Sequence, residues 1–176
     1  GLRAGLGRRR RSARSAGGRA VSGASVRACF WFHDHAEEAA RAYVDLLPRS
    51  RIDGVAPIGP GMVIVDLTLR GAPFQFFQGG PHHTLNDAAS ISVLTDDQAE
   101  TDRLWAALTQ EGTEIACGWL RDRFGVAWQI VPRRLTELAR APDRAAAGRA
   151  MTAMRAMKKI DVPTLEAAFR GEIGGA

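Results

Sequence analysis

The chain has 176 residues, of which 45% are hydrophobic and 24% are charged, and it contains two cysteines. This length suits one soluble domain with one core, two cysteines are too few for a disulfide scaffold, and the absence of a run of about 18 apolar residues excludes a transmembrane helix. We therefore expect a cytoplasmic protein with no membrane partner, in which Cys29 and Cys117 are reduced and buried.

Positive charge is concentrated at the amino terminus. The formal net charge is +5, but residues 1–25 hold seven arginines and no acid, which leaves 17 basic against 19 acidic side chains elsewhere. With few large apolar residues, residues 1–25 are predicted to be a disordered Arg/Gly/Ser-rich arm or an added extension. A transit peptide or a nucleic-acid-binding arm is an alternative for this segment. The slightly acidic body makes nucleic acid an unexpected partner for the fold.

The first predicted elements form a strand, a helix and three strands. Residues 26–32 read as a strand, and apolar residues recur at helical spacing from Ala36 to Leu47, where Pro48 predicts the helix end. Three strand-like segments follow, at 51–55, 62–69 and 74–78.

The same order of elements then recurs. Residues 89–95 alternate like a strand, residues 97–111 read as a helix, and Thr95 with Gln98 has the spacing of a capping box. Three extended segments follow, at 113–117, 118–124 and 126–132. The sequence therefore predicts an α+β fold of tandem βαβββ modules, at about 26–80 and 87–132, with curved sheets around a cavity.

Residues 133–170 are predicted to be a helical tail. Pro142 is placed at a first helical position, and Met151 and Met154 mark an apolar stripe. Leu165, Ala168 and Phe169 predict one last short helix. A methionine stripe of this kind indicates a packing surface. We expect residues 26–170 to form a single domain.

Several segments resemble the PhnB-like family of the vicinal-oxygen-chelate superfamily, also known as the glyoxalase/bleomycin-resistance/dioxygenase superfamily. The most specific segment is Cys117–Pro132, whose sixteen residues are of mixed type. The other segments are Cys29–Phe32 leading into Ala36–Tyr43, Gly79–Pro81, Asp102–Trp105 and Met154–Asp161. The resemblance covers about residues 26 to 170 and implies tandem βαβββ modules around a ligand cavity.

Members of this family are often labelled 3-demethylubiquinone-9 3-methyltransferases. Methyl transfer from S-adenosylmethionine usually takes a doubly wound domain with a Gly-rich loop, and the sequence has neither feature. In the wider superfamily, His and Glu side chains on the strands bind a divalent metal. The resemblance places those positions near Arg27, Gln78, Ser90 and Gln129, and this set predicts no metal and no other cofactor.

The remaining histidines fall in predicted loops. His33 and His35 flank Asp34, and His82 is adjacent to His83. Each pair is interpreted as a solvated turn, with a metal-binding tract as the alternative.

A ligand-binding surface is predicted on the concave side of the sheets. Period-two alternation and the resemblance together select an aromatic and hydrogen-bonding lining. Its members are Cys29, Trp31, Gln78, Ser90, Ser92, Trp119 and Gln129. The alternative is that these are ordinary core residues of a curved sheet.

Asp122 is the one weak catalytic candidate. It lies between Arg121 and Arg123 beside the last strand, where it would act as an acid or base. The alternative is a hairpin held by a local ion pair.

Three hypotheses of function remain. The first is a small-molecule-binding protein without the usual catalytic metal. The second is an enzyme, either an isomerase, lyase or dioxygenase with an unrecognised metal site, or the methyltransferase of the family label. The third is a structural or partner-binding homodimer whose cavity is vestigial, with the tail helices on the neighbouring subunit. Homodimerisation is implied by the resemblance under the first and third.

Overall fold

A computed structural model describes residues 25–173, so the predicted amino-terminal arm at 1–25 lies almost wholly outside the described residues. The first module consists of β1, α1, β2, β3 and β4. Their bounds are β1 Ala28–Phe32, α1 Ala36–Leu46, β2 Arg51–Gly59, β3 Met62–Leu69 and β4 Ala72–Gln78. The four strands form one sheet in the order β1-β4-β3-β2.

The second module repeats this arrangement with shorter strands. Its elements are β5 Ile91–Thr95, α2 Gln98–Thr109, β6 Thr113–Glu114, β7 Trp119–Arg121 and β8 Ala127–Pro132. The strand order is β5-β8-β7-β6, which is the order of the first sheet. In each module the first strand pairs in parallel with the last, and the other pairs are antiparallel. The predicted tandem βαβββ fold is confirmed.

One face of each sheet packs on helices and the other does not. In β8, Trp128 and Ile130 are buried while the intervening Gln129 is only half-buried. In β5, Ile91 and Val93 are buried while Ser92 is exposed. This period-two pattern is typical of a sheet with one packed face. We call the opposite face of each sheet its open face.

The main core is shared by the two modules. Tyr43 of α1 packs against Phe76 of the first sheet, with ring centroids 5.7 Å apart, and against Trp128 of the second sheet, with centroids 4.8 Å apart. Tyr43 is 1% exposed. Because one helix fills the space next to both sheets, the relative position of the modules is set by buried aromatic contacts.

The predicted helical tail consists of three helices with a small core of their own. They are α3 Arg133–Ala139, α4 Arg144–Arg155 and α5 Val162–Arg170. Leu138, Ile160 and Leu165 are at most 3% exposed in this second core. Met151 and Met154 pack against it, which agrees with their interpretation as a packing surface. None of the described helices combines the length and the apolar character that crossing a bilayer requires.

Some local predictions were wrong. The cap of α2 is Asp97, whose carboxylate accepts from the Glu100 amide at 2.7 Å, and Thr95 instead pairs with Thr101 through their hydroxyls at 2.6 Å. Helix α4 begins at Arg144 with Asp143 as its cap, so Pro142 precedes the helix. In both helices an aspartate supplies the capping oxygen, because its carboxylate accepts from the amides of the first turn.

Candidate functional site

The open face of the second sheet carries a row of predicted ligand-binding residues. Ser92 on β5 is opposite Gln129 on β8, which in turn is opposite Trp119 on β7. Directly opposite side chains on neighbouring strands point to the same face. Ser92 is exposed, and Gln129 and Trp119 are half-buried. The structure therefore brings these three together as a polar and aromatic strip.

Ser90 joins this row through a hydrogen bond. The Gln129 side chain donates from Nε2 to the Ser90 hydroxyl at 2.8 Å, and both residues are half-buried. The amide is thus oriented by a neutral partner and keeps its carbonyl oxygen as an acceptor. Neither group carries a charge that would attract a divalent cation.

Cys29 and Trp31 occupy the corresponding face of the first sheet. They alternate with the buried Phe30 and Phe32 on β1. The prediction that both cysteines are buried was wrong, because Cys29 is exposed on this open face and Cys117 is half-buried. Partial burial raises the pKa of the Cys29 thiol above its usual value despite the opposing charge of Arg27, so the group is a neutral thiol at pH 7.

Trp31 is held by the Gly79–Pro81 segment that the sequence singled out. Its indole nitrogen donates to the Gly80 carbonyl at 2.8 Å. A Cβ at Gly79 would lie 2.4 Å from the indole ring and 2.9 Å from Phe77. Glycine is required at position 79 because the indole lies directly on the backbone there. The Gly79–Pro81 segment therefore fixes the position of the Trp31 ring.

Gln78 does not lie beside the other predicted residues. It shares the packed face of β4 with the buried Phe76, and its carbonyl oxygen accepts from the Ala36 amide at 3.1 Å. Its Nε2 donates to the Gly61 carbonyl at 3.0 Å. The register expected for this strand was off by one residue, and the side chain satisfies an amide at the start of α1.

A cleft of about 400 Å³ lies where β1, the linker between the modules and the β7–β8 hairpin meet. Trp31 is the predicted ligand-binding residue in its lining. The other lining residues are Phe32, His33, Asp34, Pro81, His83, Thr84, Leu85, Arg121, Phe124 and Gly125. Most of these were missed by sequence reasoning, because nothing in the linker sequence indicates that it folds against the hairpin.

Arg121 supplies a positive charge to this cleft. It follows Trp119 by two residues on β7, so the two side chains share the open face. Its Nη2 donates to both carboxylate oxygens of Asp87, at 2.8 and 2.7 Å, and its Nε lies 3.2 Å from one of them. The pair is close to half-exposed, which leaves the guanidinium accessible.

The histidines lie in loops, as predicted. His33 and His83 line the cleft, whereas His35 pairs with Glu38 at 3.0 Å. Within residues 25–173, no three His, Cys, Asp or Glu side chains converge to hold a metal ion. Arg27, at another superfamily position, pairs with Asp66 at 3.1 Å. The described donors at these positions therefore do not fit the metal that the superfamily implies.

Asp122 is buried where the two modules meet and accepts hydrogen bonds from both. Its carboxylate is 7% exposed and accepts from the Tyr43 hydroxyl and from the Trp128 indole at 2.8 Å. The Phe124 and Val126 amides donate to its other oxygen at 2.9 and 3.0 Å. Neither neighbouring arginine is a partner, since Arg121 binds Asp87 and Arg123 binds Glu38 at 2.8 Å.

Burial dominates the electrostatics of this junction. It raises the pKa of Asp122 above its usual value, although the hydrogen bonds from Tyr43, Trp128 and the two amides oppose the shift. Burial and the adjacent carboxylate raise the pKa of Tyr43 well above its usual value. Both residues are in the lining of a groove of about 500 Å³ between α1 and α2. Because donors engage both carboxylate oxygens, the local ion-pair interpretation was wrong and a structural role is favoured.

The sheet topology and the βα connections can be compared with those of S-adenosylmethionine-dependent methyltransferases. Both described sheets are mixed and four-stranded, and neither is part of a doubly wound domain within residues 25–173. The described βα connections carry no Gly-rich phosphate loop. Within the described part of the chain, the two features that methyl transfer from S-adenosylmethionine usually takes are therefore not seen.

Comparison with protein families gives one match of high coverage. Residues 24–131 match the family model described as 3-demethylubiquinone-9 3-methyltransferase. That segment contains both βαβββ modules except for the last residue of β8, and it excludes the helical tail. A comparison with curated proteins finds no match.

Solved structures with TM-scores above 0.5 share this fold. The PhnB protein from Bacillus cereus is 25% identical with a TM-score of 0.58, and the match covers 62% of this chain and 99% of that one. A protein from Pseudomonas aeruginosa is 22% identical with a TM-score of 0.52, over 61% of this chain and 96% of that one. A glyoxalase/bleomycin resistance protein from Albidiferax ferrireducens is 17% identical with a TM-score of 0.44, over 61% and 96%.

Proposed function

This chain belongs to the 3-demethylubiquinone-9 3-methyltransferase family of the vicinal-oxygen-chelate superfamily, and from that membership we propose that it binds a small molecule without the superfamily's catalytic metal. The ligand would lie on the open face of the second sheet and in the cleft at its end. Burial against Trp119 and Trp31 would supply affinity, and the Gln129 amide would orient the ligand.

The observation that carries this proposal is the Gln129 to Ser90 hydrogen bond. Both positions are ones that the superfamily resemblance assigns to metal ligands, and here they hold neutral groups that satisfy one another at 2.8 Å. Ser92 and Trp119 flank them with further uncharged groups. Such a surface offers hydrogen bonds and an aromatic face, and it lacks an activated nucleophile.

An acid or base role for Asp122 is less well supported. Its carboxylate oxygens are engaged by four donors, so a substrate would have to displace one of them. The proposal therefore assigns Asp122 to the fold and the ligand to the open face.

We also expect a homodimer whose interface includes Leu94 and leaves the row of Ser92, Gln129 and Trp119 open to a ligand. Leu94, which shares the open face of β5 with Ser92, is 40% exposed, and burial of an exposed apolar side chain favours an interface. Light scattering should give twice the chain mass, and Leu94→Glu should reduce it to the mass of one chain. If light scattering gives the mass of one chain for the wild type, the expectation of a homodimer is wrong.

The test of function combines metal analysis with ligand screening. Elemental mass spectrometry of the untagged protein should find substoichiometric metal, and nickel, zinc or iron should not raise the melting temperature. A thermal-shift screen should find compounds that stabilise the wild type, since a ligand that binds the native state raises its stability. Gln129→Leu should abolish that shift, whereas Gln110→Leu, at the exposed end of α2, should preserve it. Stoichiometric, stabilising metal would refute the proposal.

A further inference from the structure

The cleft beside Trp31 has three aromatic walls. Trp31 and His83 meet edge to face with ring centroids 4.7 Å apart, and Phe124 of the β7–β8 hairpin is also in the lining. The guanidinium of Arg123 lies 4.3 Å from the centroid of the Phe124 ring and supports it. Because Trp31 is fixed by Gly80 and cannot move toward Gly79, this side of the cleft is formed in advance of binding.

The size and walls of the cleft select a planar occupant. A volume of about 400 Å³ is at the small end of ligand pockets. Aromatic side chains stack on, or meet edge to face, rings of similar size, and such contacts add to simple burial. An aliphatic ligand would bury apolar surface in the cleft but would make no aromatic contacts of this kind.

Arg121 indicates the charge of that occupant. Asp87 engages Nε and Nη2 of the guanidinium, and Nη1 makes no hydrogen bond to any residue in the described range 25–173. A planar guanidinium has five donors, so it can bind a second acceptor without leaving Asp87. Asp34, also in the lining, is 61% exposed and lies 3.7 Å from the His35 ring, so its charge faces solvent.

We propose that the cleft binds a planar aromatic molecule carrying an anionic oxygen, with Arg121 as the anion-binding residue and Trp31 as the stacking wall. The inference rests on the proposed small-molecule binding and adds the chemical class of the ligand. A carboxylate or phenolate on the ring would accept from Nη1 in a charge-assisted hydrogen bond, which is stronger than a neutral one.

Three probes separate the parts of this inference: naphthoate, naphthamide and cyclohexanecarboxylate. Calorimetric titration of the full chain should show naphthoate binding about tenfold more tightly than naphthamide, the ratio expected from one hydrogen bond to a charged group. Naphthoate should also bind more tightly than cyclohexanecarboxylate, which keeps the carboxylate but lacks the aromatic contacts. Arg121→Gln should bring naphthoate to the affinity of naphthamide. Trp31→Leu should weaken the binding of both aromatic probes.

Two further variants control for indirect effects. Asp87→Asn removes the competing carboxylate and should strengthen naphthoate binding. Arg133→Gln breaks an exposed pair between the first residue of α3 and Asp96, and it should change the affinity for neither naphthoate nor naphthamide. Equal binding of naphthoate and naphthamide to the wild type, or an unaltered ratio in Arg121→Gln, would overturn the ligand class. If no probe binds but the thermal-shift screen yields another ligand that depends on Gln129, the class is wrong and the proposed function stands. If the purified protein instead contains stoichiometric metal that stabilises it, the proposed function itself is wrong.

Discussion

The Tyr43 hydroxyl donates a hydrogen bond to the Asp122 carboxylate, so α1 of the first module is tied to the β7–β8 hairpin of the second. Both residues are buried, at 1% and 7% exposure. The same carboxylate oxygen accepts from Trp128, whose ring packs on Tyr43. One carboxylate therefore joins the two modules and also orders the turn that carries Phe124 to the cleft.

Asp122→Asn should destabilise the protein by about 2 to 4 kcal/mol. If the asparagine oxygen keeps the two backbone amides, its NH₂ group must face the Tyr43 and Trp128 donors, and both lose their acceptor. Urea unfolding followed by tryptophan fluorescence measures the change. Asp45→Asn, an exposed position in the same groove, is the matched control and should stay within about 0.5 kcal/mol of wild type. Equal stabilities for the two variants would contradict the role given to Asp122.

The Asp122 carboxyl should also give stability a pH dependence of definite sign. Burial raises its pKa, so between the ordinary aspartate value and the raised value the native state holds a proton that the unfolded chain has lost. Its contribution to the unfolding free energy is therefore fully present below the ordinary value and decreases as pH rises through the raised value.

The measurement compares wild type with Asp122→Asn in urea at closely spaced acidic pH values. The unfolding free energy of the wild type minus that of the variant should decrease as pH rises. Subtraction removes the other carboxyl groups, such as Asp102, whose pKa is lowered by its hydrogen bonds to Lys159 and Gln98. A difference that increases with pH would show that the hydrogen bonds outweigh burial at Asp122.

The element order was predictable because it depends on local patterns. Alternation in residues 91–95 and the helical spacing from Ala36 to Tyr43 each follow from which residues contact the core, and the structure has both elements. The open-face row of Ser92, Gln129 and Trp119 was also within reach, because the period of a strand fixes which side chains share a face.

The partners of polar side chains were not predictable in the same way. Gln78 binds Ala36, which is 42 residues away, and Asp122 binds Tyr43 at a separation of 79 residues. No local pattern specifies such pairs, because they depend on how the modules pack. The register of β4 was off by one residue for a related reason: Phe74, Phe76 and Phe77 make both faces of that strand apolar.

Gly79→Ala should disturb the aromatic wall of the cleft. The added methyl would overlap the Trp31 ring, and because the near atoms belong to packed aromatic rings, we expect a loss of stability of about 1 to 3 kcal/mol. The indole should also lose its bond to Gly80, which a change in near-ultraviolet circular dichroism would reveal. Gly54→Ala is the control, since a Cβ there meets no atom within 4 Å. If Gly79→Ala and wild type have identical spectra and stability, the Gly79–Pro81 segment does not fix the position of the Trp31 ring.

Gln98→Ala should loosen the helical tail without unfolding the modules. The Gln98 amide donates to the Ile160 carbonyl at 3.1 Å and accepts from the Val162 amide at 2.8 Å, so it satisfies two backbone groups at the start of α5. Leaving both without a partner should cost about 1 to 3 kcal/mol locally. Hydrogen exchange should become faster in residues 160–165 and remain slow in β8, because opening free energies are local properties.

The control for this variant is Gln110→Ala, at the exposed opposite end of the same helix, which should leave exchange in the tail as in wild type. Other bonds also retain the tail: the Cys117 and Gly118 amides donate to Met157 and Lys158 at 2.8 and 2.7 Å. Loosening should therefore start at α5 and leave the Cys117 and Gly118 amides protected from exchange. Uniform acceleration across both the tail and β8 would show instead that the tail and the second module unfold as one unit.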